Sequence, residues 1–235
     1  MGENEQWKLA IACEGRVVIL EESESTQDSA IELKLQPGDV CGALVQTAGR
    51  GRRGSMWNAS GGVAITVVLK EATAELAIAV AAVLADQIDA YVADAIGIKW
   101  PNDLYVKGKK LAGILIEQRE GVCLVGVGVN VKKNDVPNAI SLSEIGGDLE
   151  RASVANLIVS SIFTACDLDP ETAIALWQSR DILVGTIQTY VADNRNVTGT
   201  VLSIDPLHNL VLQTDSGQVT LDANLTCGQV DRGSI

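Results

Sequence analysis

The sequence has few of the residues on which many active sites depend. Aromatic residues make up only 3% of its 235 residues, and the chain has a single histidine, His208. One histidine leaves little scope for Ser-His-Asp or Cys-His catalysis, and its position beside Asn209, near a predicted turn, favours an ordinary surface residue. The formal net charge of −12 argues against general binding of nucleic acids.

Long apolar runs and paired cysteines are also missing. No run of about 18 uncharged apolar residues occurs, so no membrane-spanning helix is predicted. The N-terminus lacks the basic start and apolar centre of a secretory signal. The five cysteines are widely spaced and include no C-x-x-C pair, which favours reduced thiols over disulfides or a structural zinc site. These features predict a cytoplasmic protein.

The apolar fraction of 47% is ample for a core, and its periodicity predicts an α/β (α+β) domain with a mixed sheet over residues 1–183. Four helices are predicted, at 26–35, 72–95, 153–166 and 170–180. Seven strands are predicted, at 16–22, 40–46, 62–69, 98–100, 103–106, 111–118 and 122–131. From residue 184 to 235, alternating apolar and polar residues with recurring turns predict a small β-barrel.

Positive charge is concentrated in two segments of this acidic chain. Of the 18 lysines and arginines, three lie in residues 50–53 and four in 99–110. Residues 46–57 read Gln-Thr-Ala-Gly-Arg-Gly-Arg-Arg-Gly-Ser-Met-Trp. Glycine permits close backbone approach, and the planar arginine fork suits carboxylate and phosphate. The segment predicts a loop that closes over a small anionic ligand; by itself it leaves open a solvated cationic surface loop.

A second motif identifies a family. It reads Lys99-Trp100-Pro101-Asn102-Asp103 and continues to Lys109-Lys110-Leu111-Ala112-Gly113-Ile114-Leu115. In this order and spacing after the Gly-Arg loop, the sequence resembles the biotin protein ligases, which attach biotin to carboxylases. Two weaker elements bracket the match, Ser25-Thr26-Gln27 and Gly126-Val127-Gly128-Val129-Asn130. The resemblance runs from about residue 16 to the C-terminus. It implies a catalytic domain followed by a small SH3-like β-barrel, in the short form without an N-terminal DNA-binding domain.

The resemblance implies a two-step reaction. Biotin and ATP first give biotinyl-5'-AMP and pyrophosphate, and a lysine of a biotin carboxyl carrier protein then attacks the mixed anhydride. Because the biotin carboxylate is already an anion, the first step needs fixed cations more than a general base. Mg²⁺ is expected with ATP, although no metal ligands can be named from the sequence. Neither DNA nor a membrane is an expected partner, and a homodimer is left open.

The resemblance also assigns a role to each matching residue. Neutral donors and acceptors would bind the ureido ring of biotin: Ser25, Thr26, Gln27 and Gln46. Charged and small residues would enclose its carboxylate and the adenylate phosphate: Arg50, Gly51, Arg52, Lys110 and Gly113. Residues on the adenylate side would be Arg53, Trp57 and Asn130. The residues assigned to catalysis are Arg52, Lys110, Lys99 and Asp103, with Lys99 near the phosphates and Asp103 near the second step.

The sequence departs from the family pattern at three points, the third being Val-Ala after Gly61-Gly62 where bulky residues are usual, and it leaves two other functions open. Gln27 replaces the usual Asn, and Ser55 stands where many members carry a basic residue. A lipoate- or octanoate-type protein acyl ligase would share the fold, but it should show a different Arg- and Gly-rich segment followed by a histidine. A non-catalytic biotin-binding protein should have lost Arg52 or Lys110. The sequence therefore favours the ligase.

Overall fold

The computed structural model describes residues 2–51, 56–57, 61–192, 195–223 and 227–228. Its larger sheet contains seven strands: β1 (Val17–Ser23), β2 (Val40–Gln46), β5 (Val63–Leu69), β6 (Gly97–Lys99), β7 (Asp103–Val106), β8 (Lys109–Arg119) and β9 (Val122–Val129). Their order across the sheet is β1-β2-β5-β9-β8-β7-β6, and a short ribbon joins β3 (Gly49–Arg50) to β4 (Met56–Trp57). The β1–β2 pair is parallel and the other pairs are antiparallel. The predicted mixed sheet is confirmed.

In the part of the chain that the structure describes, five α-helices accompany the sheet: α1 (Glu3–Ala10), α2 (Thr26–Glu32), α3 (Leu76–Asp89), α4 (Arg151–Cys166) and α5 (Pro170–Ser179). The last four confirm the predicted helices, although α2 and α3 are shorter than predicted. Helix α2 ends at Glu32, because Lys34, two residues further on, adopts a left-handed φ of 52° that does not continue an α-helix. Asp169 caps the start of α5, since its carboxylate accepts a hydrogen bond from the Thr172 backbone N–H at 2.9 Å.

Helix α1 was not predicted, and tertiary contacts explain why it forms. The Trp7 side chain is completely buried. The Arg151 guanidinium lies 5.0 Å from the Trp7 ring centroid and donates to the Gly62 carbonyl at 2.9 Å. A helix of eight residues gains little from its own hydrogen bonds. Its packing against α4 and the sheet therefore stabilises it more than local propensity does.

One face of the large sheet carries the main core. Successive residues of a strand point to opposite faces, so one row across neighbouring strands combines Ile19, Gly42, Ile65, Val127 and Ile114. A Cβ on Gly42 would lie 2.8 Å from the terminal methyls of both Ile19 and Ile65, which fill this space. Helices α3 and α4 pack on this face. The row is consequently filled by large apolar side chains.

Among the described helices, α2 covers part of the opposite face. It packs with a smaller apolar cluster that includes Ala30, Cys41, Val68 and Leu124. Burial raises the pKa of the Cys41 thiol to about 12. Beside α2 the same face has small and polar residues, which leaves space for a ligand.

The C-terminal part forms a second, antiparallel sheet. Its strands are β10 (Ile187–Ala192), β11 (Arg195–Asp205), β12 (Asn209–Thr214), β13 (Gly217–Asp222) and β14 (Cys227–Gly228), in the order β13-β12-β11-β10-β14. Two predicted turns lie between β11 and β12 and between β12 and β13; the predicted Asp193-Asn194 turn is outside the described residues. His208 is exposed in the first of these turns, as expected.

The large sheet and the C-terminal sheet share side-chain contacts. The Trp100 indole N–H donates to the Pro206 carbonyl at 3.2 Å, and the ring meets Tyr190 edge-on with centroids 6.5 Å apart. Burial raises the pKa of Tyr190 to about 12. Because one hydrophobic core continues from one sheet to the other, the division at residues 183/184 stays a prediction. None of the described helices combines the length and the apolar character that crossing a membrane requires.

Candidate active site

A row of very small residues crosses the partly open face of the large sheet. Ala43, Ala64, Gly128 and Gly113 pair in register across four neighbouring strands. The register continues to Asp103 on β7. Since these residues have one methyl group or no side chain, the row forms the floor of a shallow trough beside α2.

Trp57 lies directly over the glycine at the middle of this trough. A Cβ on Gly128 would lie 2.3 Å from Trp57 Cε2 and 2.4 Å from its Nε1, so only glycine fits beneath the ring. The indole N–H of Trp57 is buried without a hydrogen-bond partner among the described residues. An unpaired buried donor is costly. A ligand with an acceptor atom at this position would restore the missing hydrogen bond.

A lysine and a carboxylate close one end of the trough. Lys110 Nζ lies 2.7 Å from Asp103 Oδ2 and 5.5 Å from the Trp57 ring centroid. A Cβ on Gly113 would lie 3.2 Å from both Asp103 Oδ1 and Lys110 Nζ, so this ion pair lies over Gly113. Lys99 Nζ is 5.0 Å from the Tyr105 ring centroid on the neighbouring strand. The structure thus brings together Lys110, Asp103 and Trp57, which the sequence singled out separately.

Backbone hydrogen bonds fix the position of Lys110. Its N–H donates to the Asn138 carbonyl at 2.8 Å, and its carbonyl accepts from the Ile140 N–H at 2.9 Å. The buried Asn130 amide donates to the same carbonyl at 3.1 Å. Asn130 therefore supports Lys110, and its assignment to the adenylate side stays a prediction. In contrast, Lys109 is exposed in the β7–β8 hairpin.

Polar residues at the start of α2 form another wall. Thr26 donates to Gln46 Oε1 from its backbone N–H at 3.0 Å and from its hydroxyl at 3.3 Å. The Thr26 and Thr66 hydroxyls are 2.8 Å apart. Ser25, Thr26 and Gln46 are all buried, as is Thr66. Thr66 was not predicted; its only signal in the sequence is a hydroxyl residue within an otherwise apolar strand.

Gln27 binds the sheet. Its Nε2 donates to the Leu115 carbonyl at 3.0 Å and to the Leu124 carbonyl at 3.3 Å. The side chain lies over Gly126, where a Cβ would be 2.9 Å from Nε2. The longer side chain, one methylene more than the usual Asn, is thus used to join α2 to β8 and β9. A contact between Gln27 and a ureido ring stays a prediction.

Arg50 belongs to a cluster of four charged side chains. Its Nη1 contacts Asp28 Oδ2, and its Nη2 lies 3.1 Å from Glu117 Oε2. Arg119 Nη1 lies 2.5 Å from Asp28 Oδ1 and 3.6 Å from Glu117 Oε2. The hydrogen bond from Arg50, followed by that from Arg119, holds the pKa of Asp28 below its usual value of 3.8. The sequence analysis missed Asp28, Glu117 and Arg119, although Asp28 directly follows the Ser-Thr-Gln motif.

Some predicted residues cannot be placed. Arg52, Arg53 and Ser55 lie outside the described residues, while Gly51 is described and half-buried. Within the described ranges, no group of three or more His, Cys, Asp or Glu residues is arranged to hold a metal ion. The roles assigned to the arginine loop and to Mg²⁺ therefore stay predictions.

Comparison with known proteins places this geometry in context. A profile described as the Biotin/lipoate A/B protein ligase family matches residues 18–134. The Bifunctional ligase/repressor BirA of Bacillus subtilis is 31% identical, and the match covers 82% of this chain and 68% of that protein. A Biotin–[acetyl-CoA-carboxylase] ligase of Mycobacterium tuberculosis is 28% identical over 87% of this chain and 86% of its own length.

The fold also matches a solved structure. The biotin protein ligase from Aquifex aeolicus, in complex with biotin and ATP, superposes with a TM-score of 0.80 and 23% identity. The match covers 91% of this chain and 98% of that chain. At this level of identity the likeness concerns the fold.

Proposed function

This chain belongs to the biotin/lipoate A/B protein ligase family, and from this membership we propose that it is an ATP-dependent biotin protein ligase. It activates biotin with ATP to biotinyl-5'-AMP. It then transfers biotin to a lysine of a biotin carboxyl carrier protein, the carrier domain of a carboxylase. The relatives named biotin–[acetyl-CoA-carboxylase] ligase support this reaction.

The observation that carries the proposal is the trough floored by Ala43, Ala64, Gly128 and Gly113. Biotin has an apolar thiophane ring, a ureido group and a carboxylate, so it needs an apolar floor with different polar groups at its two ends. Buried Thr26 and Gln46 supply neutral groups for the ureido end, and Lys110 supplies a cation for the carboxylate end. These polar groups at the two ends of the trough support biotin as the ligand.

In the first step, two anions have to meet. The biotin carboxylate attacks the α-phosphorus of ATP, a C–O–P linkage forms, and pyrophosphate leaves. A positioned cation in a partly enclosed site stabilises the negative charge that develops. Lys110 is well placed for this role because its backbone is fixed and its ammonium lies over Gly113. Lys99, on a neighbouring strand, and Arg52 would supply further positive charge near the phosphates.

In the second step, the carrier lysine attacks the carbonyl carbon of the adenylate. A C–N bond forms, the C–O bond to AMP breaks, and the amine loses a proton. Asp103 is the candidate acceptor for this proton, since its carboxylate lies at the same end of the trough as Lys110. When Lys110 turns towards the ligand anion, its ion pair with Asp103 breaks, and the Asp103 carboxylate is left unpaired to accept the proton.

The remaining expectations complete the proposal. Mg²⁺ would be bound mainly by the phosphates of ATP. Trp57 and Asn130, with Arg53, would contact the adenylate. A cytoplasmic location fits the free thiols of Cys13, Cys41, Cys123 and Cys166.

The decisive experiment is incubation with biotin, ATP, Mg²⁺ and an apo biotin carrier domain, followed by mass spectrometry of the carrier. We expect one biotin on one carrier lysine and no labelling without ATP. Parallel reactions contain lipoate or octanoate in place of biotin. Labelling by these acids alone would indicate a lipoate-type acyl ligase, and binding of biotin without transfer would indicate a non-catalytic biotin-binding protein.

A further inference from the structure

The ribbon that carries Arg50 contacts the large sheet at two points. Gly49 pairs with Trp57 and Arg50 with Met56 across the ribbon. One contact is the Trp57 ring over Gly128. The other is the Arg50 side chain, which reaches α2 and β8 at the same time through Asp28 and Glu117. The second contact is electrostatic, and it fixes the position of Arg50, the first arginine of the Gly-Arg loop.

The charges in this cluster are balanced. Arg50 and Arg119 face Asp28 and Glu117, and the four side chains are 28–35% exposed. The two terminal nitrogens of Arg50 each contact a different carboxylate, which a lysine ammonium on a single stem could not reproduce with the same geometry. Because its charge is already compensated, Arg50 adds little net positive potential for a ligand. Its arrangement is suited to holding the ribbon in place.

We propose that Asp28 and Glu117 are positioning residues that hold Arg50, and through it the paired strands β3 and β4, over the biotin pocket. This inference rests on the proposed function and adds to it a residue pair that no motif contains. Asp28 acts through Arg50: it fixes the ribbon before biotin arrives, so less ordering is required when biotin binds. Arg119 also forms ion pairs with both carboxylates.

Variants at Asp28 and Arg50 test this inference. Asp28→Asn should raise the dissociation constant of biotin about tenfold, within the range of coupling seen in side-chain networks, and should change kcat at saturating biotin less than about twofold. Asp28→Glu should restore part of the affinity. Arg50→Lys should resemble Arg50→Gln, because one ammonium cannot bridge both acids. Glu32→Gln is the matched control, since Glu32 is exposed on the same helix.

A double-mutant cycle separates positioning from a general effect on the fold. In an Arg50→Gln background, adding Asp28→Asn should raise the biotin dissociation constant less than about twofold. An equal effect of Asp28→Asn in both backgrounds, or no effect in the wild-type background, would overturn the inference. Glu117→Gln provides a second variant if Asp28→Asn unfolds, and thermal unfolding of every variant shows that folded protein is compared.

A measurement without biotin distinguishes this inference from the proposed function. Trp7, Trp100 and Trp177 are buried, whereas Trp57 is partly exposed. If the cluster holds the ribbon, Asp28→Asn should increase quenching of tryptophan fluorescence by iodide, and Glu32→Gln should not. If quenching increases in Asp28→Asn but the wild-type protein fails to bind biotin, the proposed function is refuted and the positioning role is left intact. If quenching is unchanged in Asp28→Asn and the wild-type protein binds biotin, the positioning role is refuted.

Discussion

Two neighbouring rows of the large sheet differ sharply, although the same strands supply both. The row of Ile19, Gly42, Ile65, Val127 and Ile114 faces α3 and α4 and is filled with branched apolar side chains. The adjacent row of Ala43, Ala64, Gly128 and Gly113 faces the trough. A shift of one residue along each strand therefore moves a side chain from the core to the trough.

This difference predicts which substitutions affect stability and which affect activity. Large side chains on the helix face exclude water and stabilise the fold. Small residues on the trough face leave space over Gly128 and Gly113 in which the Trp57 ring and the Lys110 side chain lie. We expect substitutions in the first row to alter the free energy of unfolding and those in the second row to alter ligand binding or the rate of reaction.

The largest expected effect is on stability, from Ile65→Ala. Ile65 is completely buried, and truncation of such a residue costs about 2–5 kcal/mol in the free energy of unfolding. Denaturation by urea measures this loss. The KM for biotin should remain within about twofold of the wild-type value, because the side chain points away from the trough. A folded variant with intact stability and impaired biotin binding would contradict the contrast between the rows.

The next effect concerns the charged end of the trough. Lys110→Ala should slow adenylation about a hundredfold, since a positioned charge at a developing anion contributes about 2.7–4 kcal/mol. Biotin-dependent exchange of pyrophosphate into ATP measures this step alone. Lys109→Ala is the control, because Lys109 is exposed and should contribute less than about 1 kcal/mol. Equal losses in both variants would mean that the segment supplies only bulk positive charge.

Gly128→Val should fill the middle of the trough. The new side chain would displace the Trp57 ring, which now occupies the space where the Cβ would lie. A displacement of about 1 Å in a reacting complex can cost about a hundredfold, so kcat/KM for biotin should fall by about this factor. Steady-state kinetics and thermal unfolding should be measured together. Near-normal kinetics in this variant would show that the trough is not where biotin binds.

The smallest effect is a dependence of stability on pH. Asp28 has a pKa below 3.8 in the folded protein because Arg50 and Arg119 donate hydrogen bonds to it. Because this pKa is lowered, the contribution of Asp28 to stability, about 1 kcal/mol or less, is fully present above the pKa of the unfolded state. The contribution is lost as pH falls through the pKa of the folded state. The difference in thermal stability between wild type and Asp28→Asn should therefore be constant near pH 7 and shrink below pH 3.8. A difference that grows on acidification would have the wrong sign.

Much of the architecture could be read from local patterns. Strand β2 has the predicted bounds of Val40–Gln46, and α5 begins at Pro170 because Asp169 caps it. These elements were predictable because apolar periodicity and capping operate over a few residues. Helix α1 could not be predicted in this way, since its main support is the contact between Trp7 and Arg151, 144 positions further along the chain.

The residues of the candidate site also fall into two groups, those that sequence motifs reveal and those that they do not. Lys110, Asp103 and Trp57 could be selected from motifs, because their neighbours in the sequence form a recognisable pattern. Thr66 and Glu117 could not, because each gains its importance from a partner on another element, Thr26 and Arg50 respectively. No local rule specifies which strands become neighbours across a sheet.

The sequence by itself determined the types of most elements, with α1 as an exception, the small β module at the C-terminus and the residues that identify the family. The tertiary structure alone decided that Ala43, Ala64, Gly128 and Gly113 line up as one floor, and that Asp28 meets Arg50. The physical reason is strand register. A shift of one residue reverses the face of every side chain in a strand, and pairing over long distances, rather than local propensity, sets this register.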